Sequence, residues 1–303
     1  MKRSGLNSTV LRLGLVSFFA DISSEMLYPI TPVFLTSVLG ASMFSVGLIE
    51  GVAEAVASFL KMYSGAWSDR IGRRLSFIWV GYLLSALSKP LIGLATGWTW
   101  VLAARGLDRT GKGLRSSPRD AFLAESVSER DRGAAFGWHR AMDTMGAAIG
   151  PLLAVSFLSL GPQSLRQIYF WALIPGFLSV VFVFSVREKK SSRPTLTATS
   201  KFKWSALSSK FKLYLVAWGA FSIANSSDVF LLLKAKQVGI DLRVTILMYC
   251  FYNLIYAALS PYFGKLSDRL GRKVVLILGL SVFSCVYLGF AWAHHAWQLW
   301  ALF

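Results

Sequence analysis

The chain has 303 residues, 54% hydrophobic and 16% charged, with 32 Lys and Arg against 15 Asp and Glu. A soluble domain carries about a quarter charged residues, so this composition points to a membrane protein and leaves no polar stretch long enough for a separate soluble domain. The formal charge of +17 falls mostly in short segments between apolar runs, which reads as membrane topology and argues against a nucleic-acid partner.

A helix that crosses a bilayer needs about 20 mostly apolar residues. Nine runs meet that need: 10–39, 44–67, 75–95, 98–123, 133–160, 168–186, 211–233, 244–263 and 274–293. A tenth begins at Trp297 and stops with the chain at Phe303. The first run follows Lys2 and Arg3, as in a signal peptide. Asp21 and Glu25 interrupt it and no small-residue cleavage site ends it, so it reads as a first membrane helix. Cys250 and Cys285 both lie in apolar runs, which suggests neither a disulfide framework nor a metal centre.

Basic residues mark alternate connections: Lys2, Arg3 and Arg12, then Arg70, Arg73 and Arg74, then Arg130 and Arg132. The connections near Gly40, Thr96, Gln163 and His294 hold almost none, with Lys234, Lys236 and Arg243 as a local exception. This asymmetry predicts a multi-pass protein of the inner (plasma) membrane with a cytoplasmic N-terminus. It places Arg73 and Lys190 inside, and Ser42 and Gly97 outside. The stretch 187–212 holds eight Lys or Arg with Ser, Thr and one Pro. It reads as a cytoplasmic basic linker over 187–210, between a six-helix half (1–186) and a second half (211–303). A short surface helix around 201–212 is the alternative.

One ten-residue pattern occurs twice between apolar runs. Gly65-Ala66-Trp67-Ser68-Asp69-Arg70-Ile71-Gly72-Arg73-Arg74 is matched by Gly264-Lys265-Leu266-Ser267-Asp268-Arg269-Leu270-Gly271-Arg272-Lys273. Both read as short charged loops, and a repeat of this spacing implies two similar halves. Here the chain resembles the major facilitator superfamily of secondary transporters, which carries this motif between its second and third helices and a weaker echo between the eighth and ninth. The resemblance implies an all-α membrane bundle of twelve helices in two halves. About nine to ten of those helices are present, so on that expectation the chain is truncated at its C-terminus. The motif also carries a physical reading. Gly65 and Gly264 permit close helix approach, and Gly72 and Gly271 suit a tight turn. Asp69 and Asp268 can meet a helix N-terminus or an Arg in one conformational state only, with Arg70, Arg73, Arg269 and Arg272 beside them. The plain alternative is a set of membrane-surface anchors around a turn.

In the fifth run, Gly137, Gly146, Gly150 and Pro151 form G-x8-G-x3-G-P. A similar family pattern is associated with antiporters, though it ends in two further glycines where this chain has Ala154 and Val155. Close packing and a kink explain the same residues. In the fourth run, Arg105, Arg109, Lys112 and Arg119 share one helical face, with Asp108 beside it. Arg105 fits an Arg that the family carries early in helix four, and Gly111 and Gly113 loosely fit the Gly-rich stretch after it. Arg115 and Arg119 are expected to snorkel to the interface. Arg105 and Arg109 lie deeper and need a carboxylate partner or a wet cavity, with Asp108, Asp143 and Glu54 as candidates. Glu50, Glu54 and Lys61 share a face of the second run.

Asp21-Ile22-Ser23-Ser24-Glu25 of the first run is echoed by Asn225-Ser226-Ser227-Asp228 of the seventh. The family resemblance makes these helices equivalent and places both on a central cavity. Asp21, Glu25 and Asp228 are the candidates for proton coupling. Glu50, Glu54, Arg105, Asp108, Arg109 and Asn225 are the candidates for lining a substrate cavity. The resemblance implies alternating-access transport of a small solute by a monomer in the lipid bilayer, coupled to protons and without a cofactor. Efflux by antiport competes with movement of an anionic metabolite. No phosphate-binding loop accompanies it, and His139 with Asp143 lacks the nucleophile or metal an enzyme would need. A non-transporting sensor or an inactive fragment is the remaining rival.

Overall fold

The computed structural model describes residues 7–158, 164–188, 204–224, 238–240 and 242–302. Its main helices are α1 (Ser8–Glu25), α2 (Met43–Ile71), α3 (Arg74–Gly93), α4 (Trp98–Glu125) and α5 (Arg132–Leu158). There follow α6 in two pieces (Ser164–Trp171 and Leu173–Phe184), α7 (Ser209–Ala224), α8 (Leu242–Leu270), α9 (Arg272–Trp292) and α10 (Ala296–Leu302). No strand occurs among the described residues.

Local chemistry sets these boundaries. The Asn7 side chain accepts from Val10 N at 2.9 Å and starts α1, and Ser42 accepts from Ser45 N at 3.2 Å and starts α2. The first predicted run does not form one helix. Pro29 has no N–H, and its ring clashes with the carbonyl four residues back, at Glu25, where α1 stops. A short helix (Thr31–Val33) and a π-turn (Phe34–Val38) carry the chain onward. Pro175 divides α6 in the same way, four residues after Trp171.

The repeated motifs are also mostly helix, where the sequence suggested loops. The first seven residues of each motif belong to the last turns of α2 and α8, because nothing before the second glycine breaks the ladder. The reversal falls at Gly72 and Gly271, with φ of +69° and +91°, a left-handed backbone that favours glycine.

The first half packs α3 on α4, α2 on α4, and α1 on both α5 and α6. One buried cluster gathers Met26, Ile30, Phe34, Ile92, Ile168 and Tyr169; another gathers Leu13, Val16, Ile78, Tyr82, Leu123 and Val183. Helix α5 then packs along α8, and so joins the two halves. Arg74–Gly93, Leu165–Phe184 and Arg272–Trp292 are apolar enough to cross a membrane by length and composition alone.

The connections sort to two ends. At one end Asn7 donates to Ser126 O, Arg12 donates to Ser185 O, and Arg74 joins Asp69 and Glu125 at 2.7 and 2.6 Å. At the other, Arg166 donates to Gly93 O and Ala95 O, both at 2.8 Å. The basic connections thus share one end of the bundle. Residues 189–203 of the basic linker, including Lys190, lie outside the described residues, and so do Asn225 and Asp228. A 3-10 turn (Trp204–Ala206) precedes α7.

Candidate functional site

The two motif copies, alike in sequence, make different contacts. Asp268 places both carboxylate oxygens on the first turn of α5, accepting from Gly133 N and Ala134 N at 2.9 Å each. Those N–H groups have no acceptor within their own helix, and the helix dipole favours the negative charge there. Gly264 makes the approach possible: a Cβ on it would run into the Gly133 backbone, and a Cβ on Gly137 would sit 2.6 Å from Ser260 O. Asp69 instead pairs with Arg74 of its own turn. The matching cap in the first half comes from Glu188, whose oxygens accept from Arg74 N and Leu75 N at 2.9 and 3.2 Å.

The glycines of α5 face α1. A Cβ on Gly146 would strike Phe18 O, and one on Gly150 would lie 2.8 Å from Ile22 O. These positions draw α1 and α5 together and set the height of Asp21 and Glu25.

Inside the first half lies a connected set of charges. Arg105 reaches Glu50 at 2.6 Å and Asp108 at 3.6 Å, Lys89 reaches Asp108 at 2.9 Å, and Lys89 also donates to Ser24 Oγ at 3.2 Å. Lys89 and Asp108 are only 3% and 5% exposed. The sequence offered Asp108, Asp143 and Glu54 as partners for the helix-four arginines. The structure uses Asp108 and Glu50, with Arg109 reaching only to 4.0 Å from Glu50. Arg115 is buried, contrary to the expected snorkelling. Gly81 and Gly111 let α3 and α4 touch, and Arg115 lies in that seam with its guanidinium over the Tyr82 ring and bonded to Ser85 Oγ. Arg119 turns inward to Asp120, Ser17 Oγ and the Tyr82 hydroxyl.

A second chain of contacts runs to the other half. Ser17 donates to Asp143 Oδ1 at 2.7 Å, Arg140 holds Asp143 Oδ2 at 2.9 Å, and Arg140 Nε donates to the Tyr256 hydroxyl at 3.0 Å. Arg140 stands with His139 and Asp143 at the start of α5 in the sequence, which gives it no partner; Tyr256 and Glu188 carry no role there. Glu188 did carry a signal, as the lone acid within 187–212. His139 is buried on α5, and its Nε2 meets no partner among the described residues.

Glu25 stands apart from both networks. Its Oε2 is buried and has no hydrogen-bond partner among the described residues. Neither Lys61 nor Arg105 pairs with it, and Arg105 is held by Glu50. Lys112 and then Arg109 are the cations that act on it most strongly. Lys112 is exposed and shows no ion pair among the described residues. Glu54 is exposed on α2. No group of three or more His, Cys, Asp or Glu suited to a metal occurs among the described residues.

A helical bundle that repeats one motif, with paired charges inside and a carboxylate left unpaired, has the make-up of a membrane transporter. Residues 13–303 match the Major Facilitator Superfamily, and the chain belongs to that family. It is 38% identical over 294 residues to an uncharacterised major-facilitator-type transporter of Methanocaldococcus jannaschii, covering 95% of this chain and 73% of that one. It is 25% identical over 277 residues to multidrug resistance protein 2 of Bacillus subtilis, covering 87% and 68%. Among solved structures it is similar to a human organic anion transporter, with a TM-score of 0.66 at 17% identity, over 97% of this chain and 82% of the other. The fold is therefore that of a multi-pass membrane transporter, and the protein is a transporter rather than an enzyme.

Proposed function

We propose that the chain moves a small organic solute by alternating access between halves 1–186 and 211–303, joined by the linker 187–210, and that protons drive the movement through Glu25. The observation that carries this reading is the Glu25 carboxylate. Its Oε2 is buried and has no hydrogen-bond partner among the described residues, and Lys112 and Arg109 are the cations that act on it most strongly. An intramembrane charge without a fixed partner is costly, and is kept where its charge must change during a cycle. Asp21, one turn earlier on α1, interacts with Asp143 and shares the same proton traffic. The chain works as a monomer in the inner (plasma) membrane, with its basic end and N-terminus in the cytoplasm; the alternation of basic connections supports that orientation.

The Asp268 cap on α5 is the closed gate at the basic end. It joins the two halves at a helix terminus, and rocking must break it. Asp69 with Arg74 holds the neighbouring turn in shape. Among cargoes, an anion suits the under-used cations Arg109 and Lys112. When Glu25 takes up a proton, those cations lose a neutralising neighbour and accept a substrate carboxylate in its place. Efflux of amphiphiles by antiport is the second reading. It draws on the α5 glycine spacing and on the likeness to a multidrug resistance protein, although close packing on α1 already accounts for Gly146 and Gly150.

Reconstituted vesicles test the coupling, with whichever solute gives the largest thermal shift in a metabolite screen. Glu25→Gln should abolish accumulation driven by a pH gradient while retaining exchange of solute without a gradient. Full proton-driven accumulation by Glu25→Gln would overturn it.

A further inference from the structure

One chain of hydrogen bonds crosses from the first half to the second. It begins on α4, where Arg119 donates to Ser17 Oγ of α1 at 3.2 Å. Ser17, 1% exposed, spends its one hydroxyl proton on Asp143 Oδ1 of α5 at 2.7 Å. Arg140 donates to the other oxygen, Oδ2, at 2.9 Å. Its Nε donates to the Tyr256 hydroxyl of α8 at 3.0 Å, and its guanidinium carbon lies 5.4 Å from the centroid of that ring. Three helices of the first half thus reach one side chain of the second.

Position and chemistry set this contact apart from the Asp268 cap. Arg140 lies seven residues past Gly133 (140 − 133), about 10 Å deeper along α5. Gly137 and Ser260 fill the seam between, so closely that a Cβ on Gly137 would lie 2.6 Å from Ser260 O. Opening the basic end past Gly137 therefore has to part Arg140 from Tyr256 as well. The Arg140 side chain is 56% exposed, against 15% for Asp143. A long side chain so open to water loses freedom when it is held in one geometry. The grip of Asp143 on the guanidinium aims Nε at Tyr256 and takes that loss beforehand. Around Asp143 stand Asp21 of α1, Arg119 of α4 and His139 of α5. The acids of α1 and the contact to α8 therefore share one carboxylate.

We propose that Arg140 is the positioning residue of an inner latch, which ties Asp143 of the first half to Tyr256 of the second and closes the basic end on the side of the α1 acids. The proposal rests on the rocking of the halves and adds the contact through which the acid cluster reaches α8. Asp268 holds a helix terminus at the rim. Arg140 holds a side chain deeper in, with a carboxylate of the first half behind it. Removing the charge of Asp143 then loosens Tyr256 through Arg140 alone.

Thiol labelling of the purified full chain reads the latch at one fixed pH, without solute or gradient. The reporter is Ser260→Cys in a background with Cys250→Ala and Cys285→Ala; Ser260 is 9% exposed and meets Gly137 in the seam. The control is Ser64→Cys, at a position 1% exposed whose hydroxyl donates to Gly113 O inside the first half. Tyr256→Leu and Arg140→Gln should each speed labelling of the reporter by about twofold to tenfold, for one hydrogen bond lost, and leave the control unchanged. The two together should label no faster than either alone, because both remove one contact. Tyr256→Phe, which keeps the ring beside the guanidinium, should fall between wild type and Tyr256→Leu. Asp143→Asn should speed labelling where Arg140 is present and add nothing to Arg140→Gln. Unchanged labelling in both single variants, multiplied rates in the double variant, or the same rise from Asp143→Asn with and without Arg140 would each overturn the latch. Equal rises at reporter and control would mean loosened packing and overturn it too. Proton coupling is read separately, by Glu25→Gln in vesicles. A latch that fails leaves that result standing, and a coupling scheme that fails leaves the labelling rates intact.

Discussion

At the scale of single residues, a charge matters here according to whether it has a partner. Lys89 and Asp108 are buried together at 2.9 Å. Truncating one member of such a pair strands the other and costs about 3–5 kcal/mol. Lys89→Met should therefore lower the thermal midpoint in detergent sharply. Lys89→Met with Asp108→Leu should recover part of the loss, because Arg105 keeps Glu50. A double variant no more stable than Lys89→Met would show that Asp108 chiefly serves Arg105. Asp268 differs in that its partner is a helix terminus in the other half. Removing a capping side chain costs about 0.5–2 kcal/mol. Asp268→Ala should raise the open fraction at the basic end by about twofold to thirtyfold, with the folding of the first half unchanged. Asp69→Asn and Arg74→Gln both remove the Asp69–Arg74 contact and should have similar, smaller effects on transport. Arg74→Gln also loses the 2.6 Å contact with Glu125, so a modestly larger defect there is expected.

At the scale of helices, α5 touches α1 with one set of glycines and α8 with another, and side chains added to the two sets should act differently. Gly146→Val drives into Phe18 O and should destabilise the first half, at the usual overpacking cost of about 1–3 kcal/mol. Gly137→Val drives into Ser260 O across the halves and should favour the open basic end while leaving the thermal midpoint close to wild type. Equal thermal losses in the two variants would deny α5 this division of labour. Much of this architecture is legible in the sequence. The spans of α2 to α5 and of α9 fall within a few residues of the apolar runs, because a bilayer-length run and a glycine at φ +69° are local signals. The break after α1 was equally local, in Pro29 and Pro32, and was passed over because the run stays apolar through it. The partners of the charges were less legible. Glu50 meets Arg105 from another helix and Glu188 caps α3 from more than a hundred residues away, and spacing along one helix carries no trace of either. The inward turn of Arg115 depended on Gly81 and Gly111 meeting across α3 and α4, which likewise belongs to the packing.

At the scale of the molecule, the proposed orientation rests on the sorting of basic connections to one end. Cysteines at single sites, in a background with Cys250→Ala and Cys285→Ala, test it with an impermeant thiol reagent on intact cells. Gly97→Cys and Ser42→Cys should label and Arg73→Cys should not; the reverse pattern would invert the topology. The central claim is that the charge on Glu25 governs whether the halves meet at the basic end. Spin labels at Glu129→Cys, which is well exposed beside α5, and at Leu270→Cys, at the end of α8, report that distance directly. In the same cysteine-free background in lipid nanodiscs, the wild type should show two distance populations whose ratio changes between about pH 5.5 and pH 8.5. Glu25→Gln, fixed in the uncharged form, should hold at every pH the ratio that the wild type shows at the acid end. A pH-dependent ratio in Glu25→Gln equal to that of the wild type, or a single distance at every pH in both, would contradict coupling through Glu25.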